Sequence, residues 1–352
     1  MNAHGLSRRA LLAMTALAVP TAWSLPLRTL QFPRDFGSHP EQRTEWWYIT
    51  GHARSGAREF GFQLTFFRAR VDATQDMRSA FAARQLVFAH AAITDLEGRR
   101  LWHDQRIARA GFGIASAAEE DTDLRLRNWT LKRNAGGYTA RLPAEGFALD
   151  LRFAPTGPVL LQGKDGLSRK GPDPEQASYY YSEPQLATQG LLGLQGRSFE
   201  VQGKAWLDHE WSEAYMHPDA AGWDWIGMNL DDGGALMAFR MRRRDGSALW
   251  FGGSLRRADG SLRVFGADEL RFEGTQPWTS PRTRAVYPLR WRIDTPAGAF
   301  TVQALLDDQE LDSRGSTGGV YWEGVSALLD ERGQRIGRGY LEMTGYAQPL
   351  RM

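Results

Sequence analysis

Apolar residues in this chain come in short runs rich in aromatic and β-branched side chains, separated by turns of Gly, Asp and Asn. Trp46-Trp47-Tyr48-Ile49-Thr50, a polar turn, and Phe60-Gly61-Phe62-Gln63-Leu64-Thr65-Phe66-Phe67 predict a hairpin. Further strands are predicted over 86–94, 124–132, 138–142, 148–153, 199–206, 223–229, 236–242, 249–255, 270–272, 288–293, 300–304, 319–326 and 339–345. Helical periodicity is weak, and Asp76 to Leu86 is the one stretch that reads as a short helix or lid. So many short strands with frequent turns predict all-β sandwiches or barrels, and too many of them for a single one.

An internal echo divides the chain. Trp46-Trp47-Tyr48-Ile49-Thr50 and the strand after it are matched by Trp223-Asp224-Trp225-Ile226-Gly227, a turn at Asp231-Asp232-Gly233-Gly234, and Leu236 to Arg242. Tyr181-Ser182-Glu183 is echoed by Tyr321-Trp322-Glu323. Two related β-domains follow, with the glycine-rich Gly190 to Gly196 as the boundary: 25–196 and 197–352.

The first 24 residues read as an address. Arg8-Arg9 precede an uncharged apolar stretch to about Ala22, the pattern of a twin-arginine export signal that delivers a folded protein to the periplasm or beyond. That stretch is shorter than the roughly 20 residues a membrane helix needs. Removing Arg8 and Arg9 leaves basic and acidic side chains equal in number, and a neutral chain without a basic block gives no electrostatic case for nucleic acid or for an anionic membrane surface. Zero cysteine excludes disulfides, thiolate nucleophiles and cysteine-ligated metals.

Five blocks carry a resemblance. Glu45 to His52, Phe60 to Arg68, His90 to Asp95, Trp206 to Ser212 and Gly222 to Leu230, in that order, resemble the AttH-like secreted proteins, which are similar to the carotenoid 1,2-hydratases. The resemblance implies two tandem lipocalin-like, calycin-type β-barrels and a hydrophobic lipid or isoprenoid-like ligand. For many members it also implies association with an ABC export system. It leaves open whether this chain catalyses anything.

Candidate chemistry lies within those blocks. In a strand alternate residues share a face, so Trp206, Asp208 and Glu210 point one way and Leu207, His209 and Trp211 the other. A carboxyl group desolvated against indoles stays neutral, and a neutral acid in an apolar pocket can protonate an alkene. The cation so formed would rest on Trp or Tyr faces, and water held by His209 or a second carboxylate would complete a hydration. The bland alternative is a domain hinge sealed by the tryptophans. Asp224 lies between Trp223 and Trp225 in sequence yet faces opposite to both on a strand. Asp208, His209, Glu210 and Asp224 are the candidate catalytic residues. Glu45, Trp47, Tyr48, His90, Trp206, Trp211, Trp223 and Trp225 are the candidate ligand wall.

Other chemistries lack their residues. His-Glu-Trp-Ser-Glu at 209–213 lacks the two histidines four apart of a helical zinc site, no Gly-x-Ser-x-Gly elbow is present, and the glycine-rich segments carry no phosphate-loop lysine. No metal and no cofactor are expected. Two functions remain: an exported carrier of a hydrophobic ligand working with an export complex, and a cofactor-free hydratase or lyase acting on an alkene in the same cavity.

Overall fold

The computed structural model describes residues 25–350, so the export signal read in residues 1–24 lies outside the described residues. Turn chemistry and alternation produce an antiparallel all-β chain, with two short 3-10 turns, Arg34–Phe36 and Asp72–Thr74, and no α-helix among the described residues. Strands β1 (Thr44–Ser55), β2 (Arg58–Arg70), β3 (Gln85–Asp95), β4 (Arg100–Arg109), β5 (Ala115–Ala117), β6 (Asp123–Leu126) and β7 (Trp129–Asn134) open the first sheet. It continues through β8 (Gly137–Pro143), β9 (Phe147–Ala154), β10 (Leu160–Leu161), β11 (Leu167–Arg169), β12 (Ala177–Leu194) and β13 (Arg197–Ala214). The second sheet holds β14 (Ala220–Leu230), β15 (Ala235–Arg243), β16 (Ala248–Arg256), β17 (Leu262–Phe265) and β18 (Arg271–Thr279). It is completed by β19 (Val286–Thr295), β20 (Gly298–Ala304), β21 (Glu310–Asp312), β22 (Val320–Leu329) and β23 (Arg335–Met343).

Both sheets are wound alike. In the first, β1 lies between β2 and the last strand β13, which pairs with β12; in the second, β14 lies between β15 and the last strand β23, which pairs with β22. The sequence echo between 46–50 and 223–227 is therefore an echo of position: each segment is the opening strand of its sheet, locked against the closing one. Tyr181 and Tyr321 likewise sit on the corresponding strands β12 and β22. The first sheet curls into a nearly closed barrel, and the two sheets form tandem barrel-like units.

Two readings change. Asp76 to Leu86 forms no helix; it is irregular up to Gln85, where β3 begins, because nothing in it repeats at helical spacing. Gly190 to Gly196 is not where the chain changes sheets. Gln195 and Gly196, at φ of 49° and 77°, make the two-residue turn of the long β12–β13 hairpin, a conformation that hairpin twist favours and glycine permits. The passage to the second sheet falls between Ala214 and Ala220, so β13 belongs wholly to the first.

Alternation sorts the side chains into three cores. Trp47, Ile49, Leu207 and Trp211 fill the first barrel, while Ile226, Met228, Leu341 and Met343 fill the second. The opposite faces of the same strands meet at a seam, where Tyr48, Tyr180, Trp206, Tyr215, Trp225, Val325 and Tyr340 pack together. The sheets come so close here that a Cβ on Gly61 of β2 would sit 2.7 Å from both the Tyr340 hydroxyl and Val325 Cβ.

Candidate active site

Glu45 sits inside the first barrel, fully buried on β1, where β13 places His209. Its Oε1 is 2.7 Å from His39 Nδ1 and 2.9 Å from His209 Nε2, and its Oε2 accepts from Arg68 Nε at 2.8 Å. The His39 backbone N–H also donates to Oε2, at 2.9 Å. Beyond the histidines, His39 Nε2 lies 3.0 Å from Asp35 and His209 Nδ1 lies 3.1 Å from the Tyr181 hydroxyl. Burial would raise the Glu45 pKa, but the His209 and His39 bonds override it and hold the carboxyl well below its usual range. Burial dominates at His209 and pushes it down to about 4, so that ring is neutral near pH 7.

His39, Glu45 and His209 place their ligand atoms within 4.8 Å of one another, the one such grouping among the described residues. The donor set speaks against an ion: both Glu45 oxygens already accept bonds, and the Arg68 guanidinium, 2% exposed, supplies the positive charge. Trp211 stacks on His39 at 3.9 Å and Trp47 on His209 at 4.4 Å, closing the knot with indoles. This is a charge-paired lock for the barrel.

Asp208 and Glu210 face the other way, into the seam. Asp208 Oδ1 accepts from Ser182 Oγ and from Trp206 Nε1, both at 2.6 Å, and Oδ2 accepts from the Tyr180 hydroxyl at 2.6 Å. Burial pushes Asp208 up to about 7 in spite of those three bonds. Glu210 pairs with Lys170 Nζ at 2.6 Å and accepts from Ser178. Lys170 itself is 1% exposed and lies over the rings of Phe239 and Tyr180 at 4.3 and 4.7 Å. Burial drives Glu210 upward and Lys170 downward, each toward its neutral form, against their mutual attraction.

The second sheet adds two more acids. Glu323 and Glu342 stand directly opposite each other on β22 and β23, and β14 places Trp225 beside Glu342. Glu323 is buried and Glu342 half-buried, and cross-strand neighbours lie about 5 Å apart, so the two carboxylates repel and the pair resists losing both protons. Burial, then Glu342, raise Glu323; burial raises Glu342 to about 7 against a Trp223 N–H bond at 3.1 Å, with Asp208 and Glu210 adding to the rise. Among the described residues no Lys or Arg pairs with Asp208, Glu323 or Glu342. Polar groups gather beside these acids: the Tyr48 hydroxyl lies next to Glu323 and Gln63 next to Tyr321, neither pair making a well-formed hydrogen bond, and Thr50 Oγ1 is buried with no partner.

The twelve candidates from sequence therefore divide. Asp208, Glu210, Tyr48, Trp206, Trp223 and Trp225 come together at the seam with His90, whose ring nitrogens lie 2.8 Å from Tyr321 and Ser316 of the second unit. Burial pushes His90 down to about 3 and keeps it neutral. Glu45, Trp47, His209 and Trp211 stay inside the first barrel, on the far side of the same strands. Asp224 turns into the second barrel, where Arg240 reaches it at 2.6 Å and the Tyr346 hydroxyl donates to it at 2.8 Å; it belongs with neither group. Sequence reasoning missed Lys170, Glu323 and Glu342. Glu323 stood inside the noted Tyr321-Trp322-Glu323 echo, which was its one signal.

The AttH-like family profile matches residues 24–346. The chain belongs to the AttH-like family. It is similar to an AttH-like protein from Nitrosomonas europaea, 47% identical over 92% of this chain and 99% of that one, with a TM-score of 0.86. Kievitone hydratase from Nectria haematococca shares the fold at 14% identity, covering 91% of this chain and 94% of its own, TM-score 0.71. CghA, solved with Sch210972, does so at 13% identity over 88% and 89%, TM-score 0.55. No curated protein matches the chain. The family assignment bears out the resemblance read from the five blocks.

Proposed function

We propose that this AttH-like protein is a cofactor-free hydratase or lyase that adds water to, or removes it from, a carbon–carbon double bond of an isoprenoid-like substrate at the seam. One observation carries this reading: Asp208 is a buried, cation-free carboxyl, titrating at about 7, in an aromatic wall. A general acid works best when its pKa lies near the working pH, and burial against Trp206, Tyr180 and Trp225 provides that. The protonated Asp208 gives its proton to one alkene carbon, forming a C–H bond and leaving the adjacent carbon cationic. The faces of Trp206, Trp225 and Tyr48 stabilise that cation, water attacks it, and the surplus proton returns to the Asp208 carboxylate.

Two further features support this assignment. The fold is shared with a protein that bears the name hydratase. The seam also concentrates buried polar side chains, Thr50, Gln63, Asp208, Glu210 and Glu323, which a carrier of an apolar ligand does not need. Substrate reaches the acids by parting the half-buried Trp46 and Trp223, which close the seam together with Tyr215.

The test is turnover of alkene-bearing isoprenoid alcohols and phenols, read as incorporation of deuterium from heavy water at carbon. Asp208→Asn should lower the rate by roughly 10²–10⁴ with substrate affinity little changed. Glu45→Gln and Asp224→Asn, outside the seam, should act through stability alone. Wild-type protein that incorporates no deuterium from any substrate yet carries a co-purified lipid would overturn the proposal in favour of a carrier.

A further inference from the structure

One rim of the first barrel is apolar where a soluble surface is ordinarily polar. Phe81, in the loop between β2 and β3, is 74% exposed, and Phe112, between β4 and β5, is 58% exposed. Met77 and Ile114 from the same two loops are 48% and 41% exposed. Scattered exposed apolar residues are ordinary, but these meet: the Phe81 and Phe112 rings stack at 5.6 Å on the outside of the molecule.

The backbone is built to present them. Gly111, Phe112 and Gly113 are consecutive residues at φ of 101°, 56° and 67°, and a phenylalanine in the left-handed region persists only when its surroundings enforce it. Arg109 enforces it twice, with its guanidinium 4.1 Å from the Phe112 ring and its Nη1 donating to Phe81 O at 2.8 Å. Arg84 fixes the neighbouring turn by donating to Met77 O at 2.8 Å.

The surrounding charge is positive. Arg78, Arg84 and Arg127 are exposed around the apolar tips against one exposed acid of the same loop, Asp76, while Asp72 is taken by Arg70 at 2.7 Å. The overall neutrality of the chain conceals this local excess. Aromatic and aliphatic tips on two protruding loops, ringed by long cationic side chains that keep their heads in water, form the surface that enters the headgroup layer of a bilayer. Protein interfaces also favour arginine, methionine and aromatic side chains, but they gather them on one continuous packed face, whereas here four apolar tips stand on two separate loops.

We propose that this rim docks the protein on an anionic membrane surface, inserting Phe81, Phe112, Met77 and Ile114 at the headgroup boundary while the arginines hold acidic lipid headgroups. Docking is independent of the chemistry at the seam and survives if that reading fails.

The absence of cysteine allows a direct test. The full chain carrying Ala80→Cys, at an exposed position between the tips, is labelled with an environment-sensitive fluorophore and mixed with phosphatidylcholine vesicles with or without phosphatidylglycerol. The label reports this rim and not other segments of the chain. Its emission should shift blue with the anionic vesicles and return in high salt. Phe81→Ser with Phe112→Ser should weaken the vesicle affinity at least about tenfold, and Arg78→Gln with Arg127→Gln by about fivefold per charge. An unshifted label, or variants equal to wild type, would overturn the proposal. So would a shift that follows protein concentration without vesicles, since that assigns the rim to self-association.

Discussion

Replacing Asp208 by Asn should change how the stability of this protein depends on pH, whatever its substrate. In the unfolded chain the carboxyl loses its proton at about 3.8, and in the folded seam it holds it to about 7. Between those values the native state binds one proton more than the unfolded state, so stability falls as pH rises. The slope of about 1.4 kcal/mol per pH unit, acting over about three units, gives a loss on the order of 4 kcal/mol that is complete above pH 7 and absent below pH 4. Asparagine keeps the shape and titrates nothing. Urea unfolding of wild type and Asp208→Asn at steps between about pH 4 and 8 should therefore show the variant gaining on wild type by about that amount. Glu342, raised to about 7 by burial, adds its own slope to both proteins and largely cancels in the difference. Parallel stability curves across this range would refute the assignment of Asp208 as a neutral buried acid, and with it the acid chemistry.

Glu45→Gln should cost about 3–5 kcal/mol near neutral pH, because it strips the charge shared by His39, His209 and Arg68; its lowered pKa means that the penalty fades as acid protonates Glu45, and denaturation at two pH values checks it. Lys170→Met should cost a similar amount by stranding the Glu210 charge, and Lys170→Met with Glu210→Leu should recover most of it; a double-mutant cycle without coupling would refute the buried pair. Gly61→Val should lower stability by about 1–3 kcal/mol or part the seam, since its Cβ would meet Tyr340 and Val325 at 2.7 Å, and thermal unfolding with seam tryptophan fluorescence reads both effects. Arg8→Lys with Arg9→Lys should hold the protein in the cytosol if the paired arginines address the twin-arginine machinery, and unchanged periplasmic accumulation would refute that address.

Alternation alone determined much of this molecule. Because strand side chains change face at every residue, the run Trp206 to Trp211 had to send Asp208 and Glu210 one way and His209 the other. The structure keeps that division, with the acids at the seam and His209 on Glu45. The echo between 46–50 and 223–227 was also readable, since an opening strand that locks against a closing strand has the same packing needs in each sheet. Turn chemistry was harder to place: Gly190 to Gly196 has a linker's composition, and only the pairing of β12 with β13 makes it a hairpin. Likewise β4 was not read as a strand, because its polar residues satisfy a sheet without an apolar run, and β12 was not, because Ser182, Glu183, Pro184 and Gly190 break up its Tyr179-Tyr180-Tyr181 and Leu191-Leu192 runs.

The acid cluster belongs to tertiary structure. Asp208, Glu323 and Glu342 lie far apart in sequence, and each alone is an unremarkable carboxylate. Register sets Glu323 against Glu342, and packing of the two sheets then removes water from Glu323 and Asp208 and from part of Glu342. Lys170 directly follows the three-residue strand β11 and becomes a buried cation only because the pairing of β11 with β12 carries it over Glu210. Desolvation is a property of what covers a group, so the sequence could name Asp208 as a candidate acid, but only the meeting of two sheets could make it one.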